Sequence, residues 1–155
     1  QRKNGLPVDG LVGPATWVAL GLGSSTVSDP TTSNVSYGAS SQTLLARVVA
    51  AEARNEPYEG QVAVAAVILN RVADPRFPNT LAGVVYQPHA FESVTNGLVW
   101  TRTPTSTEQR AARDALTGWD PSYGALFFWN PAKPVSSWIW TRPIVTRIGN
   151  HVFAH

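Results

Sequence analysis

The stretch LLARVVAAEARNEPYEGQVAVAAVILNRV, residues 44–72, decides the fold. Leu44, Leu45, Val48 and Val49 fall at i, i+1, i+4 and i+5, one face of a 3.6-residue helix. Ala51 continues that face, and Glu52 interrupts it with a carboxylate. On a helix its neighbours are Val48, Val49, Asn55 and Glu56; none is basic and one is a second acid. Pro57 pushes Glu56 out of the α region, and Asn55 suits a left-handed cap, so Glu52 is expected in the last helical turn. An apolar face, a second acid and a helix C-terminus each disfavour the anion and raise a carboxyl pKa. A carboxyl that stays protonated near neutral pH is a general acid. The alternative is an exposed Glu at a frayed end, or one paired with a distant Arg.

Working outward, helices are expected over about 41–55 and about 57–73, the second with Pro57 at its first position. The second is apolar nearly all round and should be the central buried helix; its length favours helix over a buried strand of the same composition. Asn79 is expected to cap a short helix through Tyr86. Ser106 or Thr107 should start another through about Leu116, stopped by Gly118. The pattern then changes: ALFFWN (125–130) and IVTRIGNHVFAH (144–155) read as strands, the latter a hairpin turning at Gly149-Asn150. Helices followed by a small late β element make an α+β domain.

The 155 residues are 43% hydrophobic, enough for one domain with a real core, and the net charge of +2 does not point to nucleic acid. Without cysteine, a disulfide framework and thiol catalysis are excluded. His89, His151 and His155 lack metal-ligand spacing, so neither metal nor cofactor is expected. No apolar run is long enough to span a membrane, and no export signal is visible. Residues 23–40, rich in Ser, Thr and Gly without periodicity, read as a flexible linker. Residues 1–22, with Asp9-Gly10 and then Gly13-Pro14 opening a short apolar helix, are too few to fold alone.

Residues 41–155 contain, in order, AEARNEPYEGQVAVAAVILNRV, FPNTLAGVVYQPHAFESV, GWDPS, FFWNPAK, WIWTRP and IGNHVFAH. On these motifs the segment resembles the catalytic domain of the SleB type of spore cortex-lytic enzymes, in the SleB/CwlJ cell-wall hydrolase family. LPVDGLVGPATWVAL (6–20) resembles the last repeat of a peptidoglycan-binding module. The resemblance implies a mostly helical α+β fold similar to lysozyme-like lytic transglycosylases, with Glu52 as the catalytic acid. It implies cleavage of the β-1,4 bond after N-acetylmuramic acid, closing a 1,6-anhydro end, on peptidoglycan glycan strands outside the cytoplasm in the envelope or spore cortex. A monomer is expected; no regulatory partner is legible. Asn55 stands where the family usually has Gly, and AFES follows the SleB-like branch. The alternatives are a muramidase using water at the same bond, and a non-catalytic peptidoglycan-binding protein; an amidase would want zinc ligands or a nucleophile.

Candidate substrate contacts are Tyr86 and Phe91, flanking the Gln87-Pro88 turn, Asn130, and Trp138 and Trp140, which would share one side of an extended segment. Against this, large aromatics usually fill cores. Glu92 is the acid to watch beside Glu52, with a solvent-facing loop acid as the alternative, and His151 reads more readily as structural.

Overall fold

The computed structural model describes residues 37–155. Within them α1 (Ala39–Ala53), α2 (Tyr58–Ala73), three short helices α3 (Leu81–Val85), α4 (Glu92–Thr95) and α5 (Leu98–Thr101), and α6 (Ser106–Leu116) precede β1 (Phe127–Trp129), a 3₁₀ turn (Ser137–Thr141), β2 (Ile144–Ile148) and β3 (His151–Ala154). The expected bulk of helix with a late β element is what forms. The module expected at 1–22 and most of the expected linker lie outside the described residues. The linker's end is revised: Tyr37 packs on the core and α1 begins at Ala39.

Helix α2 is central because it is apolar all round. Gly60 to Ile68 are buried without interruption, and Val62, Val64, Val67 and Ile68 are fully enclosed. Each such side chain contributes about 1.5–3 kcal/mol of transfer free energy. Alanines at the helix contacts (Ala46, Ala50 and Ala53 on α1; Ala111, Ala112 and Ala115 on α6) allow close approach. Helix α6 opens with a reciprocal cap: Thr105 bonds the Glu108 backbone N–H while the Glu108 carboxylate takes the Thr105 N–H.

Three boundaries differ from expectation. Pro57 is the N-cap of α2, with extended ψ, and Tyr58 is the first helical residue. Thr80, not Asn79, caps α3, its hydroxyl accepting from Gly83 N at 3.0 Å. Asn55 is not left-handed: the positive-φ non-glycine residues among those described are His89 and Tyr123. Instead the buried Gln61 amide donates to the carbonyls of Arg54 and Glu56, both at 3.3 Å, closing the end of α1 from the next helix. A tertiary donor there removes the need for the left-handed turn.

The sheet order is β1-β3-β2, all antiparallel, with Phe128 opposite Phe153 and Ile148 opposite His151. Strand β3 is flanked on both sides and buried along its length. Phe153 and Phe128 point at the helical core; Trp129, Val152 and Ala154 face the other way, where Ile139 of the 3₁₀ turn covers them. The hairpin turns at Gly149, as expected, with φ +57°. The Glu56 carboxylate grips this turn, accepting Asn150 N at 2.8 Å and Asn150 Nδ2 at 3.2 Å. The sheet is thereby fastened to the junction between α1 and α2. Among the described residues no helix is long and apolar enough to cross a membrane.

Candidate active site

Glu52 stands in the last turn of α1, half-buried. Its Oε1 accepts the hydroxyl of Ser93 at 2.5 Å. Burial pushes the Glu52 carboxyl above its ordinary range. The Ser93 hydroxyl and amide oppose that rise, as does the Lys133 ammonium, while Glu92 adds to it. The raised direction expected from the sequence therefore holds, but the second acid is Glu92. Glu56 is turned into the hairpin clamp. Among the described residues no arginine pairs with Glu52 either. Arg54 instead meets Glu108 at 2.8 Å, and Arg102 donates to the carbonyls of Ala50 and Ala51 at the end of α1.

Ser93 and Lys133 carry no sequence signal linking them to Glu52; they arrive from the segment after α3 and the loop after β1. Ser93 follows Phe91, whose ring is 4% exposed and lies 5.4 Å from the Arg71 guanidinium and 6.4 Å from Phe128. Phe91 thus packs into the core and presents almost no surface, which corrects its expected place as a subsite wall. Asn130 makes a local turn: its side-chain oxygen accepts Ala132 N at 2.9 Å and its carbonyl accepts Lys133 N at 3.0 Å. That turn sets the start of the Lys133 loop.

Trp138 and Trp140 do not share one side of an extended strand. They lie in the 3₁₀ turn, where residues two apart point about 120° away from each other. Trp138 meets Phe127 edge-on at 5.3 Å and Trp140 meets Trp129 at 5.4 Å. Both keep open faces, 52% and 49% exposed. Tyr86 stacks on Trp100 with centroids 6.2 Å apart and 13° between planes. His151 is 6% exposed, edge-on to Phe128 at 5.2 Å, and burial holds its pKa down. Glu56 raises that pKa and Lys133 lowers it, so the Lys133 ammonium acts on both His151 and Glu52. Among the described residues no cluster of three His, Cys, Asp or Glu could hold a metal ion.

What this arrangement can do chemically is hold one proton on a partly enclosed carboxyl, with one oxygen oriented by a hydroxyl. Known proteins resemble the chain as a whole. The spore cortex-lytic enzyme of Bacillus cereus is 42% identical over 179 residues, covering 99% of this chain and 69% of that protein. The Bacillus subtilis enzyme of the same name is 54% identical over 110 residues, covering 71% of this chain and 36% of that one. The solved catalytic domain of a germination-specific lytic transglycosylase, SleB from Bacillus anthracis, superposes with a TM-score of 0.73 at 47% identity, over 78% of this chain and 98% of that domain. Residues 55–154 match the cell wall hydrolase family from just after Glu52 to the penultimate residue, and the chain belongs to that family.

Proposed function

We propose that this chain is a peptidoglycan lytic transglycosylase that cuts the β-1,4 bond between N-acetylmuramic acid and N-acetylglucosamine. The observation that carries the reading is Glu52: one carboxyl with a raised pKa at the end of α1, oriented by Ser93. The protonated carboxyl gives its proton to the departing glycosidic oxygen. The muramyl C6 hydroxyl closes on C1, and the Glu52 carboxylate takes the hydroxyl proton, leaving a 1,6-anhydro end and a recharged acid. One group serves both transfers, so its pKa must be neither very high nor very low. Burial and Glu92 act in one direction, Ser93 and Lys133 in the other. The open faces of Trp138 and Trp140 supply stacking surface for sugar rings, and Asn130 and Tyr86 are candidate polar contacts.

Similarity to spore cortex-lytic enzymes and to a germination-specific lytic transglycosylase supports the spore cortex as the substrate and germination as the time of action. The enzyme acts outside the cytoplasmic membrane, on glycan strands, as a monomer.

A second reading has one observation in its favour. Glu92 is exposed and acts on Glu52 electrostatically, so it is a candidate base for activating water in an ordinary muramidase. Mass spectrometry of released muropeptides separates the two. Anhydro ends, one water lighter than reducing ends, support the transglycosylase. Reducing ends alone, with activity lost in Glu92→Gln, would establish the muramidase.

A further inference from the structure

A groove of about 360 Å³ lies on the far side of α1 from Glu52. Gln42, Thr43 and Arg47 of α1 line one side, Gln109 and Arg113 of α6 the other, and Thr103 closes its end. Ala39 and Ala46 form apolar lining, with Pro104 beside Thr103. At 100° per residue, positions 39, 42, 43, 46 and 47 make one stripe, and Glu52 points roughly 150° away from its midline. An occupant of the groove therefore does not reach Glu52.

The lining has one sign of charge: two guanidiniums, two amides, two hydroxyls and no carboxylate. Neither arginine has an acidic partner among the described residues, where the ion pairs are Arg54 with Glu108 and Arg76 with Asp74. Arg47 reaches the carbonyls of Val99 and Trp100 only at 3.5 Å, beyond ordinary hydrogen-bond length, so its charge is not neutralised. Nearby acids are engaged elsewhere. Glu108 is buried against Arg54 and Thr105, and Asp114 accepts the Tyr58 hydroxyl at 2.5 Å. One wall is also held in place, because Arg54 bridges Glu108 and the Thr103 carbonyl. Trp100, 53% exposed and 5.9 Å from the Arg47 guanidinium, adds an apolar shelf beside the charges.

A rigid wall, two unneutralised planar cations and neutral polar groups suit a carboxylate, which accepts paired N–H bonds from arginine. The adjoining aromatic shelf suits small methyl groups. Short peptides bearing carboxylates and alanine methyls branch from every strand of the proposed substrate. We infer that this groove is a second substrate-binding site, taking a peptide stem of a neighbouring strand while the glycan backbone lies at Glu52. The inference rests on peptidoglycan being the substrate; its ligand is the peptide rather than the sugar.

The test is a titration of the ¹⁵N-labelled full chain with the stem peptide L-Ala-γ-D-Glu-L-Lys-D-Ala and with the same peptide amidated at its carboxylates. The free peptide should move the side-chain amides of Gln42 and Gln109 and the Arg113 Nε signal in a saturable way. The amidated peptide should bind at least tenfold more weakly, and Arg47→Gln with Arg113→Gln should weaken the free peptide by a similar factor. Absence of shifts, shifts confined to residues around Glu52, or equal binding of the amidated peptide would each overturn the inference; the peptide comparison does not depend on any variant folding. Cleavage of peptide-free glycan strands is scored separately. A chain that cuts those strands but ignores the peptide refutes the groove alone. A chain that binds the peptide here but cuts no glycan refutes the proposed enzyme and leaves the groove.

Discussion

Replacing Glu52 with Gln separates its chemistry from its packing. The amide keeps the shape and an acceptor oxygen for Ser93, whose hydroxyl lies 2.5 Å from Oε1, but cannot deliver a proton. Loss of an acid–base catalyst lowers the rate by about two to four decades, measured as muropeptide release from purified peptidoglycan. Stability should move the other way. The folded carboxyl has a raised pKa, with burial as the main cause, so between the unfolded and folded pKa values the native state binds more protons than the unfolded chain. Stability contributed by this group is complete below the unfolded pKa of about 4.3 and is lost as pH rises through the folded value. At neutral pH the wild type is then penalised by about 1.4 kcal/mol for each pH unit by which the folded pKa exceeds the unfolded one. Glu52→Gln escapes that penalty, so its melting temperature should match the wild type near pH 4 and exceed it near pH 7. More than a tenth of wild-type turnover would refute the acid role. A variant less stable than wild type at neutral pH, with the gap widening as pH rises, would refute the electrostatic argument.

Three further perturbations test the supports of the site. Ser93→Ala removes a hydrogen bond to a charged acceptor, worth roughly 1.5–3 kcal/mol to the ionised form; the pKa of Glu52 should rise further and the alkaline limb of the pH–activity profile should move up, whereas an unchanged profile would show that the bond does not tune the acid. Glu108 is pushed up by burial but more strongly held down by Arg54 and Thr105, so wild-type stability should fall as pH drops from the ordinary carboxylate range towards the lower folded pKa. Glu108→Gln should lose about 2–3 kcal/mol at pH 7 in urea unfolding, the charge pair being buried on the Glu side only, and should flatten that acid dependence. Gly149→Ala places a Cβ against the Glu56 carboxylate and 2.6 Å from Pro57 Cδ at φ +57°; thermal unfolding should show a loss of about 1–3 kcal/mol, and a neutral result would mean the hairpin clamp is slack.

Periodicity was enough to find α2 and to place Glu52 near the end of α1, and start and stop signals put α6 from Ser106 or Thr107 through about Leu116, stopped by Gly118. These are local properties: the 3.6-residue pattern, Pro57 at the break and the cap residues act within a turn or two of themselves. Gly149-Asn150 between two apolar runs marked the hairpin for the same reason. The resemblance of the motifs supplied the family, which residues 55–154 then matched.

Tertiary structure decided what surrounds the carboxyl. Ser93 is 41 residues from Glu52 and Lys133 further still; no local rule joins them, because their meeting depends on how α3, α4 and the loop after β1 pack against α1. Packing also sent Glu56 to the hairpin rather than towards Glu52, let Gln61 close α1 without a left-handed Asn55, buried Phe91, and wound Trp138 and Trp140 into a 3₁₀ turn. In these cases a donor, a charge or an apolar surface from another element outweighed a local preference worth about a kilocalorie or less. The sequence by itself determined that an acid would sit on an apolar helix face near its end. Which groups press its proton on and which pull it off were settled only when distant segments enclosed it, because desolvation and short-range hydrogen bonds act through space and not along the chain.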